Sequence, residues 1–226
     1  NNDMEVTLKA KWTVTETMQD FNCSTLSLEQ TKALRDARDD NIYTVAKLKD
    51  GKCWMTQNLR IINKTITPED SDVTDNFTIP ASALSGFDSG TNDTSKAYLD
   101  SNYGGYYNWY TATAGTGTTA VSMHAYGQNV TASICPKGWR LPTGHNGDLG
   151  ALSNQYNNSA SAILSIPANF VLSGKVYENS FNESGAGGSY WSSTVGSDVN
   201  SYYFVLYDSG FNFLHACSKR YGFAVR

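Results

Sequence analysis

The chain is 226 residues long, 40 % hydrophobic and only 17 % charged, with 17 basic against 21 acidic residues and a net charge of −4. That length suits one large domain, or a domain with an appendage, at roughly 100–200 residues per domain. The acidic balance argues against a nucleic-acid binder, and no apolar run reaches the roughly 18–20 residues that a membrane span needs.

Ser, Thr and Asn take the place of charge, together with 19 Gly and 14 Tyr. This profile fits an extracellular, loop-rich β protein and the Tyr/Ser/Gly/Asn chemistry of binding surfaces. The opening residues Asn1–Glu5 carry no signal-peptide pattern and read as the continuation of a longer chain. Met4–Thr13 alternates Val6, Leu8, Ala10 and Trp12 with polar residues, which predicts a strand. Its VTLKAKWT run resembles the closing strand of the Listeria–Bacteroides repeats of bacterial surface proteins. Residues 1–15 are therefore expected to end a preceding β-repeat or linker, and the domain to occupy 16–226.

Ser27-Leu28-Glu29-Gln30 has the form of a capping box, so a short helix to about Arg38 competes with a loop. Asn41–Gln57 predicts a hairpin turning at Lys49-Asp50-Gly51-Lys52, because Asp-Gly favours the tight two-residue turn. The four cysteines, Cys23, Cys53, Cys135 and Cys217, show no C-x-x-C spacing, so zinc is disfavoured. Cys23–Cys53 is the expected disulfide; Cys135 and Cys217 either pair or stay free. Thr65–Ala132 has little pattern except Tyr103–Tyr110, whose aromatic density predicts packed structure. Asp70, Asp72 and Asp75 lack the Gly and Glu positions of a calcium loop and read first as a solvated acidic turn, with a structural calcium left open. His124 and His145 are isolated and read as ordinary surface or core histidines. Asp148–Tyr156 and Ala160–Leu164 predict helices, the second stopped by Pro167. Gly185–Gly188 is expected to break the chain. Tyr190–Thr194, Ser201–Tyr207 and Phe223–Arg226 predict strands.

Four motifs fall in order: DGKCWMTQNLR at Asp50–Arg60, ICPKGWRLPT at Ile134–Thr143, YWSST at Tyr190–Thr194 and YGFAVR at Tyr221–Arg226. Together they resemble the Fibrobacter succinogenes major paralogous domain, over about Met18–Arg226. The resemblance implies an α+β, C-type-lectin-like fold, in the variant shared with formylglycine-generating enzymes: loop-rich, with short antiparallel strands and about two helices. Trp54, Trp109, Trp139 and Trp191 are read as core, with Trp139 and Leu141 pointing inward. The family's closing strand usually ends in a cysteine that pairs with the one in C-P-x-G-W. The sequence reads Val225-Arg226 at that point, so either the natural chain continues to that cysteine or Cys135 has lost its partner; Cys217 is a possible substitute whose setting argues against it.

Some members of this family are variable proteins of diversity-generating retroelements, in which template adenines are randomised and an AAC codon becomes any NNC codon. Such codons exclude Lys, Glu, Gln, Trp and Met. Val199–Ser218 contains no Lys, Glu or Gln, and Leu214-His215-Ala216-Cys217 shows neither helix nor strand periodicity. The resemblance thus implies a variable segment over 190–221. Its expected ligand-binding residues are Tyr190, Ser197, Asp198, Tyr202, Tyr203, Tyr207, Asp208, Phe211, Phe213, Leu214, His215, Ala216 and Cys217.

The expected function is a non-enzymatic binding protein, extracellular or on a prokaryotic or viral surface. It acts as a single copy on a macromolecular ligand, most simply a protein, without nucleic acid, cofactor or catalytic residue. The alternatives are an undiversified adhesin and a formylglycine-generating-type thiol enzyme using Cys217, with His215 two residues away on the same strand face. A calcium-dependent sugar lectin is disfavoured, since none of the five prolines lies between Glu and Asn.

Overall fold

A computed structural model describes residues 16–87, 94–117, 127–144 and 146–226, with Phe213 and Leu214 described in backbone only. The strand expected over Met4–Thr13, the segment 1–15, His124 and His145 lie outside the described residues.

A single 3-10 turn, Cys23–Thr25, leads into β1 (Thr31–Arg35), β2 (Ile42–Lys47) and β3 (Cys53–Met55), which form a three-stranded antiparallel sheet. The helix considered for Ser27–Arg38 is a strand instead. The capping-box contact does form, with Ser27 N–H donating to Gln30 Oε1 at 2.9 Å. It closes only a turn, because Glu29 takes a left-handed backbone at φ 62°. Glu29 N–H then donates to Lys47 O, and Lys47 N–H to Gln30 O, so the chain is already paired to β2 when β1 begins. The β2–β3 hairpin pairs Val45 with Met55 and Lys47 with Cys53, and turns where Gly51 supplies φ 79°. Cys23 and Cys53 form the expected disulfide; Cys135 and Cys217 are free.

Next come β4 (Lys64–Ile66) and β5 (Phe77–Ile79), a two-stranded sheet, then β6 (Ala97–Asp100) and β7 (Gly104–Tyr107). The aromatic run is packed as expected: Tyr106, Tyr107 and Trp109 are fully buried. Asn108 caps α1 (Trp109–Ala112) by accepting from Thr111 N–H at 3.1 Å. Helices α2 (Asp148–Gln155) and α3 (Ala160–Leu164) fall where the spacing put them. The strands β8 (Ser173–Tyr177), β9 (Ser180–Ser184), β10 (Gly187–Val195), β11 (Asn200–Tyr207), β12 (Gly210–Ser218) and β13 (Phe223–Ala224) complete the chain.

Six of these strands form one sheet in the order β12-β11-β10-β13-β7-β6, with β8 attached to β10 and β9 to β8. The short β13 is central, parallel to β10 and antiparallel to β7. The expected break at Gly185–Gly188 is confined to Gly185 and Ala186, and Gly187 and Gly188 already belong to β10. These two are glycines for close approach: a Cβ on Gly188 would sit 2.3 Å from Val171 O. One side of β10, β11 and β13 carries Tyr190, Phe204, Leu206 and Ala224 against Leu149, Leu152 and Phe170. The other carries Trp191 and Phe223 into the main core with Tyr107, Trp109 and Leu59.

The motifs are joints of this frame. Asp148 accepts from Lys52 Nζ at 2.5 Å, Arg140 Nη1 at 2.6 Å and Thr143 N–H at 2.8 Å. It thereby ties the Asp50–Arg60 and Ile134–Thr143 motifs to the start of α2. Trp191 Nε1 donates to Tyr107 O and Trp109 Nε1 to Ser192 O. Arg226 donates to Met55 O, Ala168 O and Asn169 O. Trp139 departs from the core reading. It is half-buried, stacked on Phe21 at 6.1 Å, with Nε1 bonded to Met18 O. It lines a cleft of about 370 Å³ with the disulfide, Met55 and Cys135. Among the described residues no helix is long and apolar enough to cross a membrane, and no three metal-ligating side chains cluster. Asp70 and Asp72 accept from the Thr67 and Gly138 N–H groups.

Candidate functional site

Strands β11 and β12 form an antiparallel hairpin on the edge of the large sheet. The segment Leu214–Cys217, which lacks a strand period in sequence, is drawn into β12 by pairing. Tyr203 faces His215, Tyr202 faces Ala216 and Ser201 faces Cys217. A register shift between Tyr203 and Val205 marks a bulge. Strand propensity is a weak constraint beside such a partner.

Alternation divides the expected binding residues between two faces. Tyr203, His215, Cys217 and Tyr207 share the face that carries Trp191 and Phe223. Tyr203 is half-buried, its ring 4.8 Å from Phe223, 6.4 Å from Trp191 and 6.2 Å from His215. Burial, then the neighbouring Cys217, Tyr207, Glu183 and Tyr221 groups, push its phenol well above the usual range. Tyr207 is 42 % exposed. On the opposite face, Phe211 packs on Phe204 at 5.7 Å, beside the helices. Tyr202 and Ala216 lie on that side too, where Gly196 leaves room for the Ala216 methyl. Ser197 and Asp198 occupy the β10–β11 turn and Asp208 the β11–β12 turn, so they sit at opposite ends of an eight-residue strand, roughly 25 Å apart. The side chains of Phe213 and Leu214 lie outside the description.

Tyr190 requires correction as a contact residue. It is 2 % exposed, its ring 5.2 Å from Phe170, and its hydroxyl donates to Val171 O while accepting from Val171 N–H. A ring so enclosed supports the sheet and presents nothing to a ligand.

The β8–β9 hairpin and the β12–β13 turn add residues that no sequence pattern singled out. Tyr177 and Tyr221 meet edge to face at 4.6 Å, and Tyr221 lies 6.3 Å from Phe223. Tyr177 donates its hydroxyl to Glu178. Lys175 Nζ bridges Glu183 Oε1 at 2.7 Å. The result is an aromatic surface of two pairs, Tyr177–Tyr221 and Tyr203–His215, backed from below by the buried Phe223, with Tyr207, Lys175 and Glu183 beside it. Tyr177 and Glu183 reach it through long-range strand pairing, and their local sequence carries no trace of that.

The two free thiols are not poised for chemistry. Burial pushes the Cys217 thiol up to about 12 against the pull of Lys175, and the Cys135 thiol up to about 11. Both are protonated at neutral pH, and a thiol rather than a thiolate is a poor nucleophile.

A mostly β, disulfide-bearing α+β domain, with short strands and an aromatic face on its sheet edge, is thus the class that fold and site define. The Fibrobacter succinogenes major domain model matches residues 50–168, more than half of the chain, and the chain belongs to that family. No curated protein and no solved structure matches it.

Proposed function

We propose that this chain is a secreted or surface-displayed binding protein of C-type-lectin-like fold, whose ligand meets the aromatic face of β10–β12, and that a retroelement rewrites that segment. One observation carries the reading. Tyr203, Tyr207, His215 and Cys217 share one face of an edge hairpin, while Trp191 lies buried beneath them and the motifs' Arg226, Arg140 and Asp148 build the frame elsewhere. Side chains at such positions can change without dismantling the core. Tyrosine there offers large contact area at low entropic cost. The face is open, which suits a protein or other macromolecular surface better than a small molecule enclosed in a pocket. The disulfide fits an oxidising compartment. The raised thiols favour binding over thiol catalysis.

The test is the DNA beside the gene. A near-copy of the stretch encoding Tyr190–Arg226, next to a reverse-transcriptase gene and differing mainly at adenines, is the expected finding. The mismatched codons should then concentrate on Tyr203, Tyr207, His215 and Cys217 and spare Tyr190. Absence of any such copy overturns diversification and leaves an adhesion module with a fixed face. The burial of Phe211 against the helices favours that second reading, because a freely varied residue has no reason to complete a core.

A further inference from the structure

We propose that the aromatic face takes a cationic group, a lysine or arginine side chain displayed by a partner protein, and that Glu183 and Tyr207 hold it; this rests on the face being the ligand site.

Gly187 has no side chain, and two groups converge over it. The place its Cβ would occupy lies 3.0 Å from Tyr207 Cε1 and 3.5 Å from Glu183 Oε2. A ring and a carboxylate oxygen therefore stand side by side at an exposed position. Glu183 Oε1 is engaged by Lys175 at 2.7 Å, and Oε2 is the oxygen that stands over Gly187 beside the Tyr207 ring. Glu183 has a left-handed backbone, φ 61°, which interrupts the alternation of β9 just where its carboxylate joins this face.

The surroundings at the Gly187 end carry the same sign. Glu178 lies beside the Tyr177–Tyr221 pair, and Asp208 is exposed on the turn next to Tyr207. Lys175 is the face's lysine and is already neutralised by Glu183. At the Gly187 end the two carboxylates Glu183 and Asp208 stand against the one bridged Lys175 ammonium, while Glu178 and Arg220 lie at the Tyr177–Tyr221 end and offset each other. An ammonium or guanidinium gains from both the ring quadrupole and the carboxylate. An anionic group meets repulsion from both. The net charge of −4 steers a basic partner in the same direction.

The test uses the full chain, labelled for backbone amide NMR and titrated with N-acetyl-arginine amide, N-acetyl-glutamine amide and N-acetyl-glutamate amide. The expected result is saturable shifts at the amides of Glu183, Gly187 and Tyr207 with the arginine probe alone. Glu183→Gln should weaken that binding up to about fivefold, the range of an exposed ion pair. Lys175→Met, which frees Oε1, should tighten it. Glu69→Gln, a surface carboxylate on another part of the chain, should leave it unchanged. If the neutral or acidic probe saturates the same amides equally well or better, the face stands as a ligand site and the cationic preference is wrong. Unsaturable shifts spread over every exposed carboxylate, unaltered in Glu183→Gln, also overturn the preference. No saturable shift at these amides with any probe, together with unchanged surface binding by Tyr203→Ala, Tyr207→Ala, sinks both readings.

Discussion

Tyr190 meets Phe170 edge to face and exchanges hydrogen bonds with Val171, whereas Tyr207 stands 42 % exposed at the end of the neighbouring strand. Truncating each ring separates support from recognition. Tyr190→Ala should cost about 3 kcal/mol or more of stability, as for other large buried rings. Tyr207→Ala should stay within about 0.5 kcal/mol of the parent. Urea unfolding of the two variants checks this, and a Tyr207→Ala loss comparable to that of Tyr190→Ala would place Tyr207 in the core. Against the proposed partner the order should reverse, with Tyr207→Ala losing affinity while retaining the fold. Tyr203 belongs to both classes, since its ring rests on Phe223 and Trp191 and still reaches the surface beside His215.

At the level of elements, the Cys23–Cys53 bridge fastens the opening turn to β3 across a separation of 30 residues. Replacing both cysteines by serine should lower stability by about 2–4 kcal/mol, chiefly by freeing the unfolded chain. A thermal melt that does not move would show that β1–β3 is held by pairing alone. The β2–β3 hairpin was legible because its signal is local, an Asp-Gly turn between alternating strands, and the bridge because Cys23 and Cys53 are the nearest pair among four cysteines. Helices α2 and α3 were legible for the same reason. β1 was not, since Thr31–Arg35 offers only Leu34 as a deeply buried apolar residue and becomes a strand through what it pairs with. The face was half legible. Tyr203, Tyr207, His215 and Cys217 stood out, but which of their neighbours turn inward depends on a bulge and on the register with β10. Tyr177 and Glu183 arrive from β8 and β9, which sequence spacing could not bring near.

For the molecule as a whole, Asp148 is the joint on which three segments converge. Burial opposes its charge, but hydrogen bonds from Arg140, Lys52 and Thr143 outweigh that and hold the carboxyl below its ordinary range. A carboxyl depressed in the folded state stabilises it above the unfolded value of about 4 and loses that contribution as pH falls below it. Asp148→Asn should cost about 1–3 kcal/mol at neutral pH. It should also flatten the acid limb of a stability–pH profile below about pH 4. Asp36, lowered by Arg38 despite its burial, acts with the same sign, so part of the slope survives. An unchanged acid limb in Asp148→Asn would assign the acid sensitivity to the Asp36–Arg38 pair alone.

The position of β13 has a consequence for how the surface can change over generations. The hairpin precedes β13 in the chain, yet β13 sits at the centre of the sheet and the hairpin at its margin. Among the described residues, strand pairing joins β11 and β12 to the rest only along β10. The hairpin is therefore marginal in its backbone pairing but not in its packing, since Phe204 and Leu206 are buried against the helices and Tyr203 rests on Phe223 of β13. Under the proposed rewriting, substitutions confined to outward side chains such as Tyr207 and His215 would leave both the pairing along β10 and the buried Phe204 and Leu206 in place.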